Sequence, residues 1–440
     1  MNDCEKTVES VREVSSSEAL VSATGASLSQ KARSREKGCL EPPACSGGMQ
    51  SSSLRIEANA KDDGPVRILH AIGSLNIGGS QAFAMNLYRN IDRSQVQFDF
   101  VIEHPGELYY KDEVESLGGR VFELRPFRGT NLVAYRRQWR ELLDEHPEWR
   151  VLHSHVRSTA SLYFPIARQR GIAAVIHSHS TAEAPGFSGV VKRIFELPLR
   201  RQADYYFACS GKAGEFLYGK KLAASDRLVV VANAIDVESF RFDSQVRADV
   251  RDELHISDDA FVVGHVGRFV EQKNHPFVID VFCEILKLVP SAKLVLAGDG
   301  PLFGGVKQLA AERGVEGSVL FLGARSDVSR LYQAMDVFLF PSLNEGLGIS
   351  LVEAQASGLP CVYSRAVPED ACAVVPLCRS LGLNDRPKIW AEVCCAVHAE
   401  DRRSSADEVI EAGFDLRSTS SMLQDFYYRL GNGHEAGING

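Results

Sequence analysis

No stretch of the chain approaches the roughly 18 consecutive apolar residues that a membrane-crossing helix needs, which argues against an integral membrane protein. The first residues, Met1 to Glu13, are polar and acidic rather than basic and then apolar, so no secretory leader is expected. Ten cysteines occur, but none has metal-box spacing. Cys394 and Cys395 are adjacent, and Cys372 and Cys378 have no histidines at finger spacing. They read as reduced, mostly buried thiols of a cytoplasmic protein. A GxxxxGK[ST] phosphate loop is also missing, which weakens an ATPase or kinase reading. The 49 basic residues are outnumbered by 57 acidic ones, and the net charge of −8 argues against a general nucleic-acid binder, with room left for a local basic patch. No short internal repeat is present.

What remains is a chain of 440 residues, 45% hydrophobic, long enough for two substantial cores. Residues 1–64 are rich in Ser, Glu, Lys, Ala and Gly without a sustained period, and are expected to stay disordered. Order is expected from Val66, where Val66 to His70 reads as a buried strand. A loop from Gly73 to Gly79 and a helix from Ser80 follow. Strands are further predicted at Phe98–Ile102, Arg120–Leu124, Val151–His153 and Ala174–His177, with helices between them. A second set opens at Phe261–Val266 and continues through Lys293–Ala297, Val319–Leu322, Val337–Pro341 and Pro360–Tyr363. Short apolar strands alternating with helices imply parallel sheets in an α/β fold. The expected division is a first doubly wound, Rossmann-like domain over 65–240, a second over 241–410, and a terminal helix over 411–432. A polar stretch near Ile235 to Ala260 reads as the connector.

The polar groups fall where such folds bind ligands, at the carboxyl ends of strands. Gly78-Gly79 precedes a helix start, where glycines allow close approach and free amides favour an anion. Gly267-Arg268 follows the strand opening the second set, with Lys273 five residues on. A planar guanidinium and a mobile ammonium there suit a diphosphate, although a solvated surface pair has the same spacing. Gly298, Asp299 and Gly300 form a permissive turn before Pro301, a pattern that purely structural turns share. Most specific is Pro341-Ser342-Leu343-Asn344-Glu345-Gly346-Leu347-Gly348-Ile349, leading into a helix that contains Glu353. Glu345 then sits on the loop and Glu353 on the inward side of the helix, with amides near a bound group. His153-Ser154-His155 and His177-Ser178-His179 end two strands of the first set. Four histidines raise the question of a metal, but no H-E-x-x-H or carboxylate-rich spacing supports one, and none is expected.

These segments closely resemble family 4 of the retaining glycosyltransferases, whose two-domain fold is called GT-B. The likeness runs from about Val66 to Leu430 and is strongest in NEGLGISLVEAQASGLPCV, where Glu345 and Glu353 stand eight positions apart. Gly267-Arg268, Lys273-Asn274, the AGDGP turn and Asn233-Ala234-Ile235-Asp236 reinforce it. Ala234 replaces the glycine more common in that last motif. The resemblance implies that Arg268 and Lys273 hold a donor diphosphate and that Glu353 takes the ribose hydroxyls. It implies that Glu345 and His155 contact the transferred sugar, and that Gly78 and Gly79 lie near the phosphate and acceptor. It further implies metal-independent transfer with retention, and a terminal helix crossing back to the first domain. HSHVRSTA, HSHS and the C-terminal stretch from Glu411 look like bacterial exopolysaccharide and capsular-polysaccharide enzymes.

The expected substrates are a nucleotide sugar, UDP-linked, and a glycan or lipid-linked glycan acceptor; no cofactor is expected. Two alternatives stand beside this: a sugar-nucleotide epimerase of related fold, and a nucleotide-sugar-binding protein without turnover. Val191 to Gln202 carries Lys192, Arg193, Arg200 and Arg201 beside Ile194, Phe195, Leu197 and Leu199. That mixture makes an anionic membrane surface a further expected partner, at the inner face of the plasma membrane. A solvated face packed by one apolar edge would look the same.

Overall fold

The strand β1, Val66–Ile72, carries the sequence VRILHAI and buries its last five residues, the near-continuous apolar run of a strand covered on both faces. The computed structural model describes residues 64–433 apart from 77, 105, 107, 182–186 and 398–401. The segment expected to be disordered lies, but for Gly64, outside the described residues.

Seven parallel strands make the first sheet: β1, β2 (Val96–Ile102), β3 (Val121–Glu123), β4 (Trp149–Ser154), β5 (Ala173–Ser178), β6 (Tyr205–Ala208) and β7 (Leu228–Val230). Their spatial order is β3-β2-β1-β4-β5-β6-β7. Six more form the second: β8 (Val262–Val266), β9 (Lys293–Ala297), β10 (Val319–Phe321), β11 (Val337–Phe340), β12 (Cys361–Ser364) and β13 (Cys378–Leu381), in the order β10-β9-β8-β11-β12-β13. Each order reverses direction once, beside β1 in the first sheet and beside β8 in the second. At such switch points the loops leaving the strands diverge and open a crevice. Two Rossmann-like sheets facing a cleft are the architecture the resemblance implied.

The polar stretch read as the connector runs between β7 and β8. It holds the helix Ser244–Glu253, which packs through Val250 and Arg251. Arg251 is buried, and its guanidinium donates to Asp336 Oδ2 at 2.8 Å, while Arg247 donates to Asp336 Oδ1 at 2.6 Å. Two arginines folded inward over one carboxylate disguise an inward helix face as a polar run. The terminal helix Leu416–Gly431 buries Leu423, Phe426 and Tyr427 in the core of the first sheet, beside Ile68, Phe98 and Val151. It starts where Ile235 exchanges backbone hydrogen bonds with Phe414 and Leu416, so the chain returns to the end of its first half. No helix among the described residues is long and apolar enough to cross a membrane.

One ionic knot ties the first sheet together. Asp99 on β2 is fully buried and accepts from Arg67 Nε on β1 at 2.8 Å, Trp149 Nε1 on β4 at 2.7 Å and the Arg120 amide at 3.0 Å. Burial alone would raise its carboxyl, but the hydrogen bonds from Arg67, Arg120 and Trp149 outweigh it and hold the group down at about 2. A folded-state value below the unfolded one stabilises the fold above pH ~4 and loses that contribution as pH falls through about 2. The contribution at neutral pH is about 2 kcal/mol. Denaturant unfolding of Asp99→Asn is therefore expected to show a deficit at pH 6 that narrows towards pH 3. A deficit independent of pH would assign its cause to packing alone.

Candidate active site

The loops leaving β8 and β9 are zipped together. The Gly267 amide donates to Ala297 O and the Phe269 amide to Asp299 O, both at 3.0 Å. Gly298 has φ +140°, and a Cβ there would stand 2.0 Å from the Gly267 carbonyl oxygen. Only glycine lets these two backbones meet. Gly300 closes the turn, its amide donating 2.7 Å to Asp299 Oδ1. Arg268 and Asp299 stand exposed at the rim.

Lys273 ends a one-turn 3-10 helix, Glu271–Lys273, and points back under the loop after β11. Its Nζ lies 2.7 Å from Glu345 Oε1 and 4.7 Å from the centre of the Phe340 ring. The two side chains are only 15% and 7% exposed, so this is a largely desolvated pair rather than a surface bridge. Gln272 Nε2 donates to Asn344 O at 2.8 Å and to Glu345 Oε2 at 3.2 Å, fixing both carboxylate oxygens.

Gly346, Leu347 and Gly348 then carry the chain into the helix Ile349–Ala356, with Leu347 buried beneath the turn. The first amides of that helix lack intrahelical acceptors and face the same crevice end. Glu353, one turn in, accepts from the Tyr332 hydroxyl at 2.8 Å. Burial pushes its carboxyl up, while the Tyr332 hydrogen bond and the Lys273 charge pull it back. Such a carboxylate can accept from a ligand hydroxyl with little water to displace.

From the first domain, Thr181 Oγ1 donates 2.7 Å to Glu345 O and Ser210 Oγ donates 2.8 Å to Gly346 O. The loop carrying Glu345 is thus held by both halves of the molecule. Gly78 caps the helix Gly79–Asn90 at the end of the loop after β1. Beside it lies a cluster of imidazoles: His70 on β1, His153 and His155 at the end of β4, His177 and His179 at the end of β5. His155 Nε2 is 3.0 Å from His70 Nδ1, and His155 Nδ1 is 2.8 Å from His179 Nε2. Burial holds His70 down at about 3 and His179 at about 4, and lowers His153, His155 and His177 well below the usual range. All five are neutral at physiological pH.

Arg268, Lys273, Glu345, Glu353 and the glycine turns therefore share one crevice end, whereas His155 spends both ring nitrogens on other imidazoles. Tyr332, Gln272, Thr181 and Ser210 were missed, because nothing in a lone tyrosine, glutamine or hydroxyl marks its partner. His70 could have been found: it is a polar residue in an apolar strand, and its backbone registers with His153. The cluster is assembled across three strands, so ligand spacing along the chain does not reveal it.

Comparison with known proteins places these features in a family. Residues 78–234 match the glycosyl transferase 4-like domain and residues 246–370 match the glycosyl transferases group 1. EpsF of Bacillus subtilis (strain 168), a protein assigned to the glycosyltransferases, is 34% identical over 82% of this chain and 96% of its own length. The UDP-Gal:alpha-D-GlcNAc-diphosphoundecaprenol alpha-1,3-galactosyltransferase of Escherichia coli is 24% identical over 68% of this chain and 79% of its own. Among solved structures, Anabaena HepE in complex with UDP superposes with a TM-score of 0.67 at 19% identity, covering 81% of this chain and 98% of that one. At that identity the likeness establishes the fold alone.

Proposed function

The chain belongs to the group 1 glycosyltransferases with a 4-like first domain, and we propose that it transfers a hexose or N-acetylhexosamine from a UDP-linked donor to a hydroxyl of a glycan or lipid-linked glycan in surface-polysaccharide synthesis. The observation that carries this reading is the buried Lys273–Glu345 pair, seated between an exposed arginine and a helix start at the end of β11. A cation held there, together with Arg268 and the helix amides, can neutralise a diphosphate without a divalent metal. Glu353, buffered by Tyr332, suits ribose hydroxyls. Anabaena HepE is known bound to UDP-glucose, and the E. coli relative uses UDP-galactose and a diphosphoundecaprenol-linked sugar. Both favour a UDP donor, and the second a lipid-linked acceptor.

The proposed chemistry retains the anomeric configuration. The acceptor oxygen attacks on the face the phosphate leaves, its proton passes to the departing diphosphate, and UDP is released. Arg268 and Lys273 stabilise the charge that grows on that leaving group. Glu345, already bonded to Lys273 and Gln272, orients the sugar and the ammonium rather than attacking carbon, unlike the paired carboxylates of a hydrolase. His155, with both nitrogens engaged, serves to build the facing wall. A screen of UDP-sugars against free and lipid-linked glycans, reading UDP release and product linkage, tests the assignment. Turnover of the nucleotide sugar to an epimer without acceptor would refute it.

Membrane docking belongs to the same reading. Val190, Ile194 and Leu197 are 58%, 60% and 50% exposed, at a spacing that puts them on one side of the helix Phe187–Glu196 and its exit. Arg193 is paired with Glu196, and Arg200 lies against Gly219, so lipid attraction rests more on this apolar stripe than on charge. Ile194→Asp is expected to weaken flotation on anionic vesicles about tenfold, the equivalent of about 1.4 kcal/mol of lost apolar burial. Its turnover with a soluble acceptor should be unchanged. Undiminished flotation would remove this stripe from the membrane contact.

A further inference from the structure

The imidazole cluster is more than a wall of the cleft. Two histidines two positions apart along a strand project to the same face. On β4 and β5 that places His153 with His155, and His177 with His179, on neighbouring strands. Their nitrogens converge in two triplets, His70, His153, His155 and His155, His177, His179, each with its atoms within 4.8 Å of one another. Convergence of neutral imidazoles is the donor set that zinc-class ions prefer.

The second triplet also carries unsatisfied nitrogens. Neither Nδ1 nor Nε2 of His177 meets strict hydrogen-bond geometry with a described group, although the Val231 backbone lies near one of them, and the buried His179 Nδ1 has only Asn233 nearby. Leaving a buried polar atom unpaired costs about 1–3 kcal/mol, so several in one cluster call for an occupant. A chain of imidazole hydrogen bonds accounts for the His155–His179 contact but gives no partner to the His177 nitrogen turned away from Val231.

We propose that His155, His177 and His179 form a site for a divalent transition-metal ion of the zinc class, with a fourth position left to water. His155 would ligate through Nδ1 and His179 through Nε2, the two atoms now 2.8 Å apart. Around a tetrahedral ion with bonds of about 2.0–2.1 Å, two nitrogens stand about 3.3–3.4 Å apart. Accommodation therefore takes a shift of about half an ångström. His155 Nε2 then carries the proton and donates to His70 Nδ1, at the 3.0 Å already present. The Val231 carbonyl lies near His177 and Asn233 near His179, where each could accept or donate to the ring nitrogen turned away from the ion. The ion would be held by residues of the first sheet, whereas Arg268 and Lys273 follow β8 of the second. It would hold the loop after β5, whose His179 carbonyl abuts Gly346.

The test is a Co²⁺ titration of the untagged full chain after dialysis against chelator, read by visible absorbance. One equivalent is expected to give the intense bands of a tetrahedral ion, bleached by one equivalent of Zn²⁺. His177→Gln and His179→Gln, checked for folding by circular dichroism, should abolish those bands. His70→Gln should weaken Co²⁺ binding by about 10–100-fold. Absence of tetrahedral bands in the unmodified chain would overturn the proposal, whatever the variants do. So would bands that persist in a folded His179→Gln, which would place the ion on other histidines. Sugar transfer by a metal-stripped chain would leave the functional reading intact.

Discussion

Replacing Lys273 by methionine is expected to lower kcat/KM by about 10²–10³-fold, the cost of removing one preorganised donor from a developing oxyanion. Two effects combine in that substitution. The leaving diphosphate loses its ammonium, and Glu345, only 7% exposed, loses the partner that compensates its burial. Breaking such a pair from one side costs about 3–5 kcal/mol of stability. The effects separate in a double variant. Lys273→Met with Glu345→Gln removes the uncompensated charge and should recover most of the stability, because Gln272 and the Thr181 contact to the Glu345 carbonyl remain. Turnover should not recover. Chemical denaturation beside steady-state kinetics, analysed as a double-mutant cycle, reads both. Recovery of turnover in the double variant would make Lys273 a structural counter-ion only.

Gly346→Ala should be nearly as damaging, for a steric reason. A Cβ at that position would lie 2.3 Å from the His179 carbonyl oxygen, on the opposite side of the cleft. Neither atom is at the end of a flexible side chain, so the two backbones must part by about an ångström to restore contact distance. The loop bearing Glu345 moves with them, and the Ser210 bond to Gly346 O is lost. A displacement of that size at a reacting centre costs about 10²-fold in kcat, with about 1–3 kcal/mol of stability from overpacking. Gly305→Ala is the matched control: it lies within the helix Phe303–Glu312 with nothing within 4 Å of its Cβ position. That change is expected to stabilise by about 0.4–1 kcal/mol, with kcat unaltered. Equal kinetics for the two alanines would mean that the closed cleft is not the reacting form.

The difference between these two glycines marks what a linear sequence can convey. The strand ends at Val266 and Ala297 were legible, because an apolar run stops abruptly at glycine. So was the placement of Glu345 on the loop after β11 and of Glu353 in the helix that follows, because their spacing is local to one loop and helix. β6, β7 and β13 were not predicted. The helix Ser244–Glu253 was hidden because its arginines fold inward onto Asp336. The Lys273–Glu345 bond, the packing of Gly346 on His179 and the convergence of histidines all depend on contacts between distant segments. Register and domain closure create those contacts, and neither is written in the spacing of residues along the chain.

The central claim, sugar transfer with retention at this cleft, is tested most directly by following one reaction by NMR. The full chain is incubated with a UDP-hexose, with and without a polyprenyl-diphosphate sugar. UDP is expected to appear only with the acceptor, one for each glycosidic bond, and the new bond should keep the anomeric configuration of the donor. An inverted product, or an epimerised nucleotide sugar formed without acceptor, would contradict the account.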